Sequence, residues 1–440
     1  MKGILIIGFF VVSSLCFGQF ESVKWASNST IYEVNVRQFT KEGTFKAFQK
    51  QLPRLKKMGV DIIWFMPIHE IGLKNRKGTL GSYYAVKDYR SVNHEFGTLQ
   101  DFKDVVDASH KLGMKVIIDW VANHTSPDNI WVEQGHKDWY TLDSTGNLQP
   151  TIGTDWWDVA DLNYDNIEMR NEMISSMKYW LTAANIDGFR CDVAGWVPID
   201  FWIEARTKLD EVKKIFFLAE SEGVDQHQAF DMTYGWELHH VMNEIAKQKK
   251  PVSSIYSYFE NNKYPKSAYR MHFTSNHDEN SWNGTEMERL GDSRFAFAVF
   301  AATIEGMPLV YNGQETSLNR RLKFFEKDSI VWDKMDLVDF YSKLLHLKKK
   351  HPAMKSGISG GDLTFLSNQD KNSPVLVYQR KLGKKKVICV INLSDKESKT
   401  NIKTPSLSGN FKELFSGKSK RLNGELTEAF KPWEYRIYYN

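Results

Sequence analysis

The stretch GFRCDVAGW (188–196) sets an arginine, a cysteine and an aspartate among apolar residues. A buried strand excludes charge unless the charge is paired. Arg190 and Asp192 stand two positions apart, so on a strand both side chains project to one face. That spacing reads as an ion pair pointing into the interior of a barrel.

The flanking sequence repeats one build. IYEVNVRQF precedes the helical pattern TFKAFQKQLPRLKKMG, which ends in glycine. VDIIWFMPIH reads as a buried strand, TLQDFKDVVDASHKLGM as a helix with a threonine cap, and KVIIDWVANH as a strand again. NIEMRNEMISSMKYWLTAAN, FWIEARTKLDEV and SRFAFAVFAATIEG continue as helices, with KKIFFLAES, RMHFTSNHD and MPLVYNGQE as strands. The sixth strand is placed near FDMTYGW (230–236). Repeated βα units with near-continuous apolar strands predict a parallel sheet covered on both faces. The expected fold is an α/β (β/α)₈ TIM barrel over residues 19–350. A Trp-, Gly- and Asp-rich loop insertion at 124–166, after strand 3, forms a short inserted region, and long loops of this kind are usually functional. From about residue 351 only short strands recur (PVLVYQRK, KKVICVINLS, PWEYRIYYN), which predicts a C-terminal antiparallel β-sandwich over 351–440.

Composition is ordinary for a large globular chain: 440 residues, 42% hydrophobic, 25% charged, net charge +4. No basic run marks a nucleic-acid partner, and RKLGKKK (380–386) reads as a solvated hairpin turn. The start, MKGILIIGFFVVSSLCFGQFES, has a lysine, a short apolar core and a small residue before Gln19, as a signal peptide over 1–18 would. The apolar run falls short of the roughly 20 residues of a membrane span, and Leu15 before Cys16 fits a lipoprotein site poorly. The expectation is an exported protein, periplasmic or secreted, with no stable membrane insertion. Cys191 and Cys389 remain after cleavage, with no CxxC or Cys/His spacing, so neither zinc nor a disulfide framework is expected. Oligomeric state is not legible in these motifs.

Each predicted strand is apolar first and polar at its C-terminal end: His69, Asn123 and His124, Asp192, Glu220, His277 and Asp278. Barrel strand ends converge on the face where active sites are built. Singly, Arg190 with Asp192 would read as a structural ion pair, His124 or His277 as a core histidine, Glu220 as a helix cap, and Asp119 as a group inside the barrel. Polar strand ends in one register favour a joint, functional reading. Retaining glycoside hydrolysis uses one carboxylate as nucleophile and another as acid/base, about 5 Å apart. Arg190 would keep Asp192 ionised for attack, and desolvation beside Phe and Leu would raise Glu220 toward an acid catalyst's range.

The ordered set DWVANH, DLN, GFRCD, LAE and FTSNHD resembles glycoside hydrolase family 13, the α-amylase family, over residues 31 to about 351, and the last ninety or so residues resemble its C-terminal sandwich. The resemblance implies Asp192 as nucleophile, Glu220 as general acid/base and Asp278 as the third carboxylate. It implies Tyr84, His124, Arg190 and His277 as residues that bind or frame the sugar. It also implies structural calcium at Asn123 and Asp161, whose hard oxygen atoms suit that ion.

Gly195 and Trp196 stand where many members carry a Lys-His pair that completes the calcium site and contacts the leaving-side sugar. Two readings of Asn123 and Asp161 follow, calcium ligands or a hydrogen-bonded brace. Trp196 is either a stacking surface for the leaving-side sugar or loop packing. Ala85, where relatives that release single glucose units often have Asp, implies endo action. The expected activity is hydrolysis of α-1,4 bonds in starch, glycogen or maltooligosaccharides. Transglycosylation or isomerisation by the same triad is the alternative, and a non-catalytic carbohydrate-binding protein is a more distant one.

Overall fold

The computed structural model describes residues 20–366 and 372–440. The signal-peptide expectation at 1–18 lies outside them.

Eight parallel strands close into a barrel: β1 (Ile31–Val34), β2 (Ile62–Phe65), β3 (Lys115–Trp120), β4 (Gly188–Cys191), β5 (Phe216–Ala219), β6 (Met232–Tyr234), β7 (Tyr269–His272) and β8 (Met307–Tyr311). They follow one another around the ring in chain order, and β8 pairs with β1. The sixth strand falls where FDMTYGW placed it.

Alternation along the strands makes two cores. Inward residues such as Ile62, Trp64, Ile117, Leu218, Met271 and Leu309 plug the barrel. Outward residues such as Val34, Ile63, Phe65, Ile118, Phe189 and Phe217 meet the helices. The helices start and stop on local signals. Thr98 and Asp101 form a capping box ahead of helix Leu99–Lys111. Gly59, left-handed at φ 111°, ends helix Leu52–Met58. Gly188 opens β4 because a Cβ there would lie 1.9 Å from the Phe216 carbonyl oxygen of β5. This glycine lets the GFRCD strand lie close against its neighbour.

The C-terminal strands are β9 (Asp362–Phe365), β10 (Val375–Leu382), β11 (Lys385–Asn392), β12 (Ser398–Glu413), β13 (Ser419–Phe430) and β14 (Tyr435–Tyr439). They form one antiparallel sheet in the order β9-β10-β11-β14-β12-β13. The sandwich is this sheet folded over itself. A register shift between Lys403 and Ser408 accompanies the long β12–β13 hairpin. Its Leu407, Phe411, Leu422 and Leu426 cover Val375, Val377, Ile388 and Val390. The opposite face, with Leu376, Tyr378, Cys389 and Ile391, packs on barrel helices through Phe297, Phe300 and Leu344. Cys191 and Cys389 are buried and free. Among the described residues no helix is long and apolar enough to cross a membrane.

The RKLGKKK run does turn at Gly383, at φ 57°. Arg380, however, is not solvated. It is buried and donates to the carbonyls of Gly361 (2.9 Å), Ile304 (2.7 Å) and Lys355 (3.0 Å), which ties the sheet to the barrel. Arg380→Met leaves three carbonyls, two of them buried, without this donor and is expected to cost about 3 kcal/mol. Thermal unfolding should show a lower midpoint; an unchanged midpoint would contradict the anchoring role.

Candidate active site

Above the apolar plug the barrel interior turns polar. Asp119 of β3 and Arg190 of β4 sit opposite each other in register, both fully buried. Arg190 Nη1 donates to Asp119 Oδ1 and to Asp192 Oδ1, each at 2.9 Å. Its Nη2 lies 2.8 Å from Glu220 Oε2, and its Nε donates to the Tyr234 hydroxyl at 3.1 Å. One guanidinium thus faces three carboxylates. Arg190 itself is buried behind them, so it frames the acids rather than touching the cleft surface.

Asp192 and Glu220 open onto a cleft of about 600 Å³ at the C-terminal ends of the strands. Tyr84, His124, His277 and Asp278 line the same cleft, with Trp156, Trp282 and Phe324 on its rims. Sequence-distant candidates therefore meet on one face.

Burial is the largest influence on the three carboxylates around Arg190 and pushes all of them up; the guanidinium pulls them back. Asp119 and Asp192 are raised to about 6 and Glu220 to about 7. Arg190 favours the Asp192 carboxylate as expected, but the same cation is shared with Asp119 and Glu220, and burial outweighs it.

The residue after Asp192 is strained. Val193 is β-branched yet left-handed, at φ 36° and ψ 43°. Such a conformation costs of order 1–3 kcal/mol and persists where the surroundings enforce it. Here its N–H donates to Glu220 Oε2 at 2.8 Å, so the turn after Asp192 is latched to the Glu220 carboxylate.

His277 is gripped from both sides. Nδ1 bonds Glu33 Oε1, Nε2 lies 2.7 Å from the Tyr84 hydroxyl, and Asp278 Oδ2 is 3.4 Å away. Burial lowers its pKa, but Asp278 and Glu33 outweigh burial and raise it to about 9, so His277 is an imidazolium at neutral pH. Tyr84 stacks between His277 and Phe324 with ring centroids 5.6 and 6.2 Å apart, and its hydroxyl also bonds Asp119 at 3.2 Å. His124 is the opposite case: burial drives it down to about 3, leaving a neutral ring beside Trp156.

Residues 26–335 match the family model described as "Alpha amylase, catalytic domain", and residues 363–437 match "Maltogenic Amylase, C-terminal domain". The chain belongs to glycoside hydrolase family 13. Among solved α-amylase family structures, the noncanonic maltogenic alpha-amylase AmyB from Thermotoga neapolitana is 31% identical with a TM-score of 0.85, covering 94% of this chain and 98% of that one. An alpha-amylase from Lactobacillus plantarum is 31% identical with a TM-score of 0.83, covering 94% and 99%. Alpha-amylase MalA of Haloarcula japonica is 27% identical over 395 residues, which span 85% of this chain and 56% of that protein. The chain thus matches little more than half the length of that relative.

Two positions that the α-amylase resemblance pointed to for metal are joined by a third residue. Asn123 Nδ2 donates to the Thr151 hydroxyl at 2.8 Å, and that hydroxyl donates to Asp161 Oδ1 at 2.8 Å. Calcium takes six or more oxygen ligands. This set supplies one carboxylate, turns an amide nitrogen inward and fills the middle with a hydroxyl. Among the described residues no group of three or more His, Cys, Asp or Glu side chains is arranged to hold a metal. As placed, the three side chains bond one another and brace the inserted loop.

His69 does not join the cleft. It is buried against Tyr89, Trp120 and Trp180, and burial lowers it to about 3. Ala85 is also buried, packed with Ile71 and Val159. Glu33, Tyr234 and Thr151 escaped sequence reasoning. Glu33 carried a usable signal, a carboxylate alone in the apolar strand IYEV. Glu33→Gln removes a buried negative partner from His277, so the His277 pKa should fall from about 9. An NMR titration of the imidazole checks this; an unmoved midpoint would contradict the pairing.

Proposed function

We propose that the protein is a retaining α-glucan hydrolase that cleaves α-1,4-glucosidic bonds of starch, glycogen or maltooligosaccharides by endo action. Asp192 attacks the anomeric carbon and forms a covalent glycosyl-enzyme; Glu220 protonates the departing oxygen and later activates water. Asp278, His124 and His277 bind hydroxyls of the sugar at the cleaved bond, and Tyr84 offers that sugar its aromatic face.

The observation that carries this reading is the bridge from Arg190 to both Asp192 and Glu220, at 2.9 and 2.8 Å. One guanidinium in contact with both acids gathers them on one side of the cleft, the arrangement a double displacement uses. The raised value of Glu220 supports its role as acid. We propose that it acts outside the cytoplasm, because residues 1–18 read in sequence as a signal peptide.

Turnover requires Asp192 without its proton and Glu220 with one. Activity should therefore rise with pH through about 6 and fall through about 7, as kcat/KM measured on maltoheptaose. Glu220→Gln removes the acid and should lower kcat by about 10²- to 10⁴-fold. A profile flat from pH 5 to 8 would count against both roles.

The same reading takes Asn123, Thr151 and Asp161 as a calcium-independent brace for the inserted loop. Soluble starch, maltoheptaose and pullulan incubated with and without a chelator test it. Short maltooligosaccharides should appear from starch equally fast in both; loss with chelator would restore calcium. One observation favours transglycosylation as the second reading. Trp196 stacks on Trp156 at 5.4 Å and 26°, an apolar platform on the leaving side that suits a sugar acceptor over water. Products longer than maltoheptaose would mark that outcome.

A further inference from the structure

The adjacent tryptophans of TDWWDVADLN part company in the fold. Trp156 faces the catalytic cleft, stacked on Trp196 and against His124. Trp157 faces away and is 66% exposed. It lines a second, open groove of about 1020 Å³ along the inserted region. Among the described residues no aromatic ring stacks on it. Single exposed apolar side chains are common, so what distinguishes Trp157 is the backbone beneath it.

That backbone is fixed on both sides. Asn75, itself left-handed at φ 59°, donates from Nδ2 to the Trp157 carbonyl at 3.0 Å. Lys77 pairs with buried Asp158 at 2.9 Å. The loop carrying Asn75 is held in turn by Asp128, which accepts from the N–H groups of Leu73 (2.8 Å) and Lys74 (3.2 Å). Trp157 is therefore presented rather than merely uncovered.

The groove around it is lined by Asn147, Gln149, Thr151 and Thr154, together with the charged Lys74, Lys137 and Asp143, and Ile152 is exposed at its edge. An indole face flanked by amides, hydroxyls and charges of both signs suits a ring with apolar faces and many hydroxyls, which stacks on the indole and hydrogen-bonds to its neighbours. The groove adjoins the cleft: Val159 lines both, and the two tryptophans sit back to back on one turn. The geometry points to a second α-glucan binding site centred on Trp157, which holds a polysaccharide chain outside the cleft while another stretch is cut within it. The inference rests on the reading of the protein as an α-glucan hydrolase.

Binding and turnover separate the two ideas. In a Glu220→Gln background, which prevents cleavage, Trp157→Ala should weaken adsorption to granular starch about 3- to 10-fold, the range expected for loss of one stacking contact. Trp157→Phe should restore most of it. With Glu220 intact, Trp157→Ala should leave kcat/KM on maltotriose unchanged while slowing release of sugar from granules. Unchanged adsorption would overturn the site. Equal losses on maltotriose and granules would also overturn it, by making Trp157 part of the cleft. A change in sedimentation coefficient with adsorption intact would overturn it in favour of self-association. Failure of the wild type to cut any glucan, with Trp157-dependent adsorption retained, would instead sink the hydrolase reading and leave the binding site standing.

Discussion

Arg190 is one cation serving three buried carboxylates, and the geometry of the cleft depends on that arrangement. The guanidinium has donors enough to reach Asp119, Asp192 and Glu220 while Nε bonds Tyr234. A lysine, with one point charge, could not hold the same fork. Removing the cation would strand the acids in a dry interior, where breaking a single buried pair already costs about 3–5 kcal/mol. Sharing also sets the chemistry. Because no carboxylate has the cation to itself, burial prevails, and the acids titrate near neutrality instead of near 4.

The barrel makes this arrangement affordable by layering. An apolar plug fills its lower interior, and Glu33, Asp119, Arg190 and Tyr234 rest on top of it. Each charged group in that layer comes from a different strand, so closure of the barrel is what brings the charges together. The strained Val193 turn and the doubly held His277 then aim the groups that face the cleft.

Much of this was legible from strand ends alone, because strand periodicity and the C-terminal placement of active sites are local rules that tertiary packing seldom overrides. The barrel, the folded C-terminal sheet and the meeting of Asp192, Glu220, Asp278, His124 and His277 follow from those rules. What escaped depends on contacts between residues far apart in sequence. His69 obeys the strand-end pattern but points outward into Tyr89, Trp120 and Trp180. Arg380 sits in a basic run yet bonds carbonyls of the barrel's last loops. Thr151, inside an irregular loop, reaches Asn123 and Asp161 only once the loop has folded back.

The central claim is that Arg190 holds nucleophile and acid close enough for double displacement. The anomeric configuration of the first product, followed by ¹H NMR on maltoheptaose before mutarotation, tests it most directly. The account predicts initial release of the α-anomer, with β appearing only as the sugars equilibrate. Initial release of the β-anomer would mean a single inversion and would contradict the role assigned to Asp192.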